Sequence, residues 1–194
     1  MRDLINEAFD AAIAMKPPHF ARLAALGVTR ETIATCMDAT APFIPVGVMR
    51  IETDERGGFQ PFDGGPLAVV QPVVVEGEII DLVAWHSDDP LRWWTRRGVA
   101  WALGEDAINS AHLGWQPEDI SVRVEPSPLD WLRGGGSGVC VLDWASAERH
   151  QLRGLHSLRV SSSDFAAMLQ RSLSEPPRLP AIVIENMGDL NVAA

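Results

Sequence analysis

The chain has 194 residues, 46% of them hydrophobic and 22% charged, and a formal net charge of −10 at pH 7. A chain of this length buries about 70% of its unfolded surface in one domain, so neither a disulfide nor a structural metal is required, and disorder is not the default except at the last few residues. The acidic field repels nucleic acid and anionic membrane at long range, which confines any such role to a local basic patch; no apolar run approaches the ~20 residues of a membrane helix.

Residues 3–15 have helical periodicity, with Leu4, Ile5, Ala8, Phe9, Ala12 and Ile13 on one stripe expected to face the core. The acids Asp3, Glu7 and Asp10 interrupt this segment, so it does not read as a signal peptide, and a cytoplasmic location is expected. Pro17-Pro18 ends the helix, and a second follows over 19–26 with Gly27 as its C-cap. Thr29 caps a third helix through Met37, and Pro42 and Pro45 close this section. Cys36 and Cys140 share no metal-ligand spacing and read as buried thiols of a reducing compartment.

A β section begins with a strand over 46–52 and a Gly/Pro-rich loop over 53–66. Strands over 67–75 and 78–86 flank Glu76-Gly77, a two-residue hairpin turn in whose register Val74 faces Ile79 and Val73 faces Ile80. Asp88-Asp89-Pro90 has the form of a capped helix start, which predicts that the Trp-rich segment 91–103 is helical and broken at Gly98. A further helix is expected over 105–113. Strands at 120–125, 138–144, 157–161 and 181–185 then alternate with helices at 128–133, capped by Ser127, at 146–152 and at 164–173. This alternation predicts an α/β fold, with α+β as the alternative: a helical section over 1–45, a mixed sheet with packed helices over 46–186, and a flexible tail over 187–194, all in one domain.

Four features bear on function. The first is the run from Leu23 to Ile33, which resembles part of a bacterial helix-turn-helix, with Gly27 at the turn, Ile33 at the buried aliphatic position and Arg30 as the sole cation of the second helix. A plain helical hairpin explains the same residues. The second is Val73-Val74-Val75-Glu76-Gly77 with Asp81, followed later by Val139-Cys140-Val141-Leu142-Asp143. These pieces resemble the two sequence elements of a Toprim domain, the metal-dependent module of primases and topoisomerases. The resemblance implies an acid–base role for Glu76 and Mg²⁺ ligation by Asp81 and Asp143, since Mg²⁺ prefers oxygen ligands. Asp81 stands one residue late for that pattern, and Ala145 replaces the second acid of its Asp-x-Asp element. No specific Mg²⁺ site is therefore expected, and magnesium enters as a cofactor only on the Toprim reading.

The third feature is Arg92-Trp93-Trp94-Thr95-Arg96-Arg97, the one local cluster of cations with interleaved aromatics. Trp faces stack on bases and Arg holds phosphate, so this segment suits weak single-stranded nucleic-acid binding or a partner surface. A core helix in which Trp94 and Trp101, seven apart, face inward while the arginines face water is the alternative. The fourth is the run Gly134-Gly135-Gly136-Ser137-Gly138, which leads from a helix into a strand and has no P-loop lysine, so it reads as a flexible connector. His86 beside Asp88 and Asp89 would suit a metal, and equally an exposed strand end.

Arginine supplies 15 of the 16 basic residues, Tyr is absent and Trp occurs seven times, the amino-acid usage of a GC-rich bacterial or phage genome. The expected function is a non-catalytic interaction or accessory protein with a protein partner. A nucleic-acid-associated protein, Toprim-related or using the N-terminal hairpin, and an enzyme of unknown class are the alternatives. An accessory role predicts an exposed apolar patch, and an enzyme predicts a pocket where Glu76, Asp81 and Asp143 meet.

Overall fold

The computed structural model describes residues 3–113 and 121–176. It is an α/β arrangement with two sheets. The first is antiparallel: β1 (Gly47–Thr53), β2 (Phe59–Pro61), β3 (Leu67–Val75), β4 (Glu78–His86) and β5 (Asp89–Thr95), in the order β2-β1-β3-β4-β5. The second is mixed: β6 (Ala102–Leu103), β7 (Val122–Glu125), β8 (Val139–Val141) and β9 (Leu158–Arg159), in the order β6-β8-β7-β9. β7 runs parallel to β8 and β9, and β6 is antiparallel to β8.

The helices are α1 (Leu4–Ile13), α2 (Pro17–Ala25), α3 (Arg30–Thr40), α4 (Glu105–His112), α5 (Pro128–Arg133) and α6 (Ser163–Ser174), with a 3-10 helix over Ala147–Gly154. Two begin at the expected caps: Thr29 accepts from Thr32 N and Ser127 from Asp130 N; Ser146, expected as the first residue of a helix, caps the 3-10 helix by accepting from Glu148 N. The expected strand at 181–185 and the tail at 187–194 lie outside the described residues.

β3 is buried from Ala68 to Val74 because both of its faces are covered. On one face α1 packs over Ala68, Val70, Leu82, Ala84 and Trp94. On the other, Val69, Val73, Val83 and Trp85 join Leu23, Val28 and Cys36 of the N-terminal helices and Leu129, Trp131 and Leu132 of α5 in one core. Polar links cross the same interface: Gln71 Nε2 donates to Pro128 O, and Trp93 Nε1 donates to Leu142 O. A third cluster, including Val122, Val124, Val139, Val141, Phe165 and Leu169, fills the space between the second sheet and its helices.

Four expectations are corrected. None of residues 91–103 is helical: Asp89-Pro90 opens the sheet-edge strand β5, where a missing proline N–H is tolerated, the chain turns tightly at Ser87-Asp88, and 102–103 form β6. The hairpin register holds at Val74–Ile79, but Val73 faces Asp81 instead of Ile80, because a bulge lies between the two pairs. The glycine run is no loose connector: Gly135 and Gly136 are buried, with positive φ, against Thr35, Cys36 and Ala39 of α3. The fourth concerns α1. Its buried residues are Leu4, Glu7, Ala8 and Ala11, whereas Ile5, Phe9 and Ile13 of the expected core stripe are exposed.

Candidate functional site

The orientation of α1 has a local cause. A Cβ on Gly47 of β1 would lie 2.4 Å from the Ala11 carbonyl carbon, so helix and strand backbones almost touch. Only small side chains fit between them, and Ala8 and Ala11 occupy that interface. The larger apolar side chains are turned outward, where Ile5, Phe9 and Ile13 are 47%, 59% and 64% exposed. Their four-residue spacing places them in one row along the helix. Asn6, Asp10 and Asp3 line one flank of this row, and Ala12 lies on the other.

Glu7 anchors the inner face. It is buried, and Arg96 makes a bidentate pair with it through Nε and Nη2 at 2.9 and 3.1 Å. Beside this pair a groove of about 500 Å³ is lined by Glu7, Asp10, Lys16, His19, Arg50 and Asp63 among others. Several of its polar groups are already engaged within the protein: His19 Nδ1 accepts from Lys16 N, and Arg50 Nη1 donates to Gly65 O. The groove has charges of both signs, and its hydrogen bonds include no activated nucleophile.

The structure separates the other sequence candidates into structural roles. Glu76 and Gly77 both have positive φ (51° and 80°) in the β3–β4 turn, and the carboxylate of Asp106 accepts from Glu76 N at 3.2 Å. Asp81 is fully buried. Its Oδ1 accepts from Leu82, Arg96 and Arg97 N, and its Oδ2 from Val99 and Ala100 N, at 2.8–3.3 Å. Asp143 is exposed and accepts from Ala145 N. Among the described residues no group of three or more His, Cys, Asp or Glu side chains is placed to hold a metal ion.

The Trp/Arg cluster is dispersed in the same way. Trp94 is buried under α1, Trp93 is half-buried and Arg96 is committed to Glu7, while Arg92, 5.1 Å over the Trp94 ring, and Arg97 are exposed. In the N-terminal hairpin, Gly27 has φ +83° at the turn after α2, Ile33 packs against the main core and Arg30 is exposed beside Glu31. His86 Nδ1 contacts Leu67 O, and Asp88 pairs with Arg22.

Burial also sets the thiols and one carboxyl apart. It pushes the Cys36 thiol up to about 12 and Cys140 well above its ordinary value, so neither is a ready nucleophile. Glu125 is raised by burial, which its pairing with Arg123 only partly offsets. The exposed row on α1 was missed by sequence reasoning, which assigned those residues to the core. The available signal was Ala11, which, with Leu4 and Ala8, completes a second, smaller apolar stripe on the opposite side of the helix.

No described helix is long and apolar enough to cross a membrane. No protein-family model matches the chain, and no curated protein or solved structure matches it at a significant level.

Proposed function

We propose that this is a non-catalytic interaction protein that docks a protein partner on the outer face of α1. One observation carries the reading: α1 is apolar on both sides, with Leu4, Ala8 and Ala11 against the sheet and Ile5, Phe9 and Ile13 facing outward. A row of large apolar side chains left exposed beside polar ones is the form of a protein interaction surface. The acids Asp3 and Asp10 along one flank specify the chemistry of the cover, an apolar surface bordered by Arg or Lys. The engaged state of Asp81 supports the same reading, since both of its oxygens are taken up by backbone N–H groups.

The test is Phe9→Asp and Ile13→Asp in the full chain. Both positions are exposed, so thermal stability should stay within about 0.5 kcal/mol of the parent. A partner identified by affinity capture is purified and titrated against each variant. The expected result is at least a ~10-fold loss of affinity, the order of one anchor residue, with parent binding that weakens as salt rises. Binding that survives Phe9→Asp, or self-association of the chain in place of partner binding, overturns the reading.

A further inference from the structure

The groove of about 500 Å³ beside α1 has a direction. α1 forms one wall through Glu7, Asp10, Ala11 and Ala14, which at 1.5 Å per residue is a length of about 10 Å. At one end, Glu7, Pro61 and Asp63 also line a second cavity of about 470 Å³, shared with Arg96 and Phe62. At the other end, His19, Val48 and Leu67 lead into a narrow crevice beside Arg22 and Ser87. Lys16 stands at this second end, where its backbone N–H donates to His19 Nδ1. The charges follow the same direction. Glu7 is neutralised by its bidentate pair with Arg96, and Arg50 Nη1 is held by Gly65 O. That leaves Asp63 at one end, Asp10 on the α1 wall and Lys16 at the other end. All three are exposed, and among the described residues none of them makes an ion pair. The lining between them includes the apolar side chains of Val48, Met49 and Leu67.

We infer that this groove binds a short peptide with free termini, extended along α1, with its ammonium group at Asp63, a backbone N–H at Asp10 and its carboxylate at Lys16. Three observations select this ligand. The first is size: about 500 Å³ falls in the range of roughly 300–1,000 Å³ that small-ligand sites occupy. The second is length. An extended chain advances at most ~3.3–3.6 Å per residue, so a wall of about 10 Å matches three residues. The third is charge. A tripeptide has one charge of each sign at its two ends, and charge-assisted hydrogen bonds at Asp63 and Lys16 fix both its position and its direction. A diamine would bring a like charge to Lys16, and a dicarboxylate would bring one to Asp63.

The inference does not rest on the outer row of α1, and its test uses the full chain. Trialanine, its N-acetyl form and its C-terminal amide are each titrated into the protein, and backbone amide shifts are followed by NMR. The expected result is saturable shifts with trialanine at residues 10–16 and 47–50, and binding at least ~10-fold weaker for each blocked form. Asp63→Asn and Lys16→Gln, both at exposed positions, then separate the two ends. Asp63→Asn should remove the difference between trialanine and its N-acetyl form while keeping the difference from the amide. Lys16→Gln should do the reverse. No saturable shift with trialanine up to ~10 mM overturns the inference. So do blocked forms that bind as tightly as trialanine, shifts confined to residues outside the groove, or variants that leave both differences unchanged.

Discussion

Asp81 shows how one residue type supports two incompatible readings. In sequence it is a carboxylate shortly after a Glu-Gly pair, the setting of a metal ligand. In the fold it is the acceptor for five backbone N–H groups, four of them from the stretch between Arg96 and Ala100 that joins the two sheets. Both oxygens are engaged, so the side chain fixes a connection. The bulge that places Asp81 opposite Val73 fits this role, since an unbulged ladder would put Ile80 there. Asp81→Asn replaces one acceptor oxygen with an amide that points hydrogens at hydrogens. We expect a loss of about 3–5 kcal/mol, because buried donors are left without acceptors. Urea unfolding followed by Trp fluorescence measures it, and a loss below about 1 kcal/mol would show that the N–H groups find other partners.

At the scale of elements, local signals held and distance-dependent ones failed. The caps at Thr29 and Ser127 and the hairpin turn at Glu76-Gly77 depend on residues within four positions of each other, and sequence exposes them. β5 failed because Asp-Pro suits an edge strand as well as a helix start; its pairing partners, Ala84 for Trp94 and Trp85 for Trp93, lie ten and eight positions away. The face of α1 failed for a metric reason. Periodicity gives the width of an apolar stripe but not the space left between helix and sheet, and Gly47 fixes that space. Gly47→Ala should therefore lift α1 from β1. Overpacking of this kind costs about 1–3 kcal/mol, and lifting the helix also strains the Glu7–Arg96 pair on its inner face. Calorimetry should show a lower melting temperature, and hydrogen exchange should show faster opening confined to Leu4–Ile13 and the strands beneath it. Unchanged protection in α1 would mean that the close approach has slack.

At the scale of the whole molecule, the α/β class was legible because alternation of strand and helix needs no knowledge of contacts. The candidate surface was not, since it depends on which side of a helix the layers leave uncovered. The same three-dimensional placement decides the nucleic-acid question. A net charge of −10 sets an unfavourable field, and Arg92, Arg96 and Arg97 were the only clustered cations in sequence to oppose it. The fold engages two of them, Arg96 with Glu7 and Arg92 over Trp94, and buries the Trp94 face that would have stacked on a base. Even if all three reached phosphates, the slope of log K against log salt would be only about −2 to −3. With Arg96 held by a buried carboxylate, about −2 is the more realistic limit. We therefore expect no sub-micromolar binding to duplex DNA at physiological salt. Single strands should bind weakly at most, because Trp93 is half-buried and donates its indole N–H to Leu142 O. Anisotropy titrations on random duplex and single strands provide the measurement. Tight, steeply salt-dependent binding, lost in the triple Arg92/Arg96/Arg97→Ala variant, would return the function to β5 and displace α1 as the working surface.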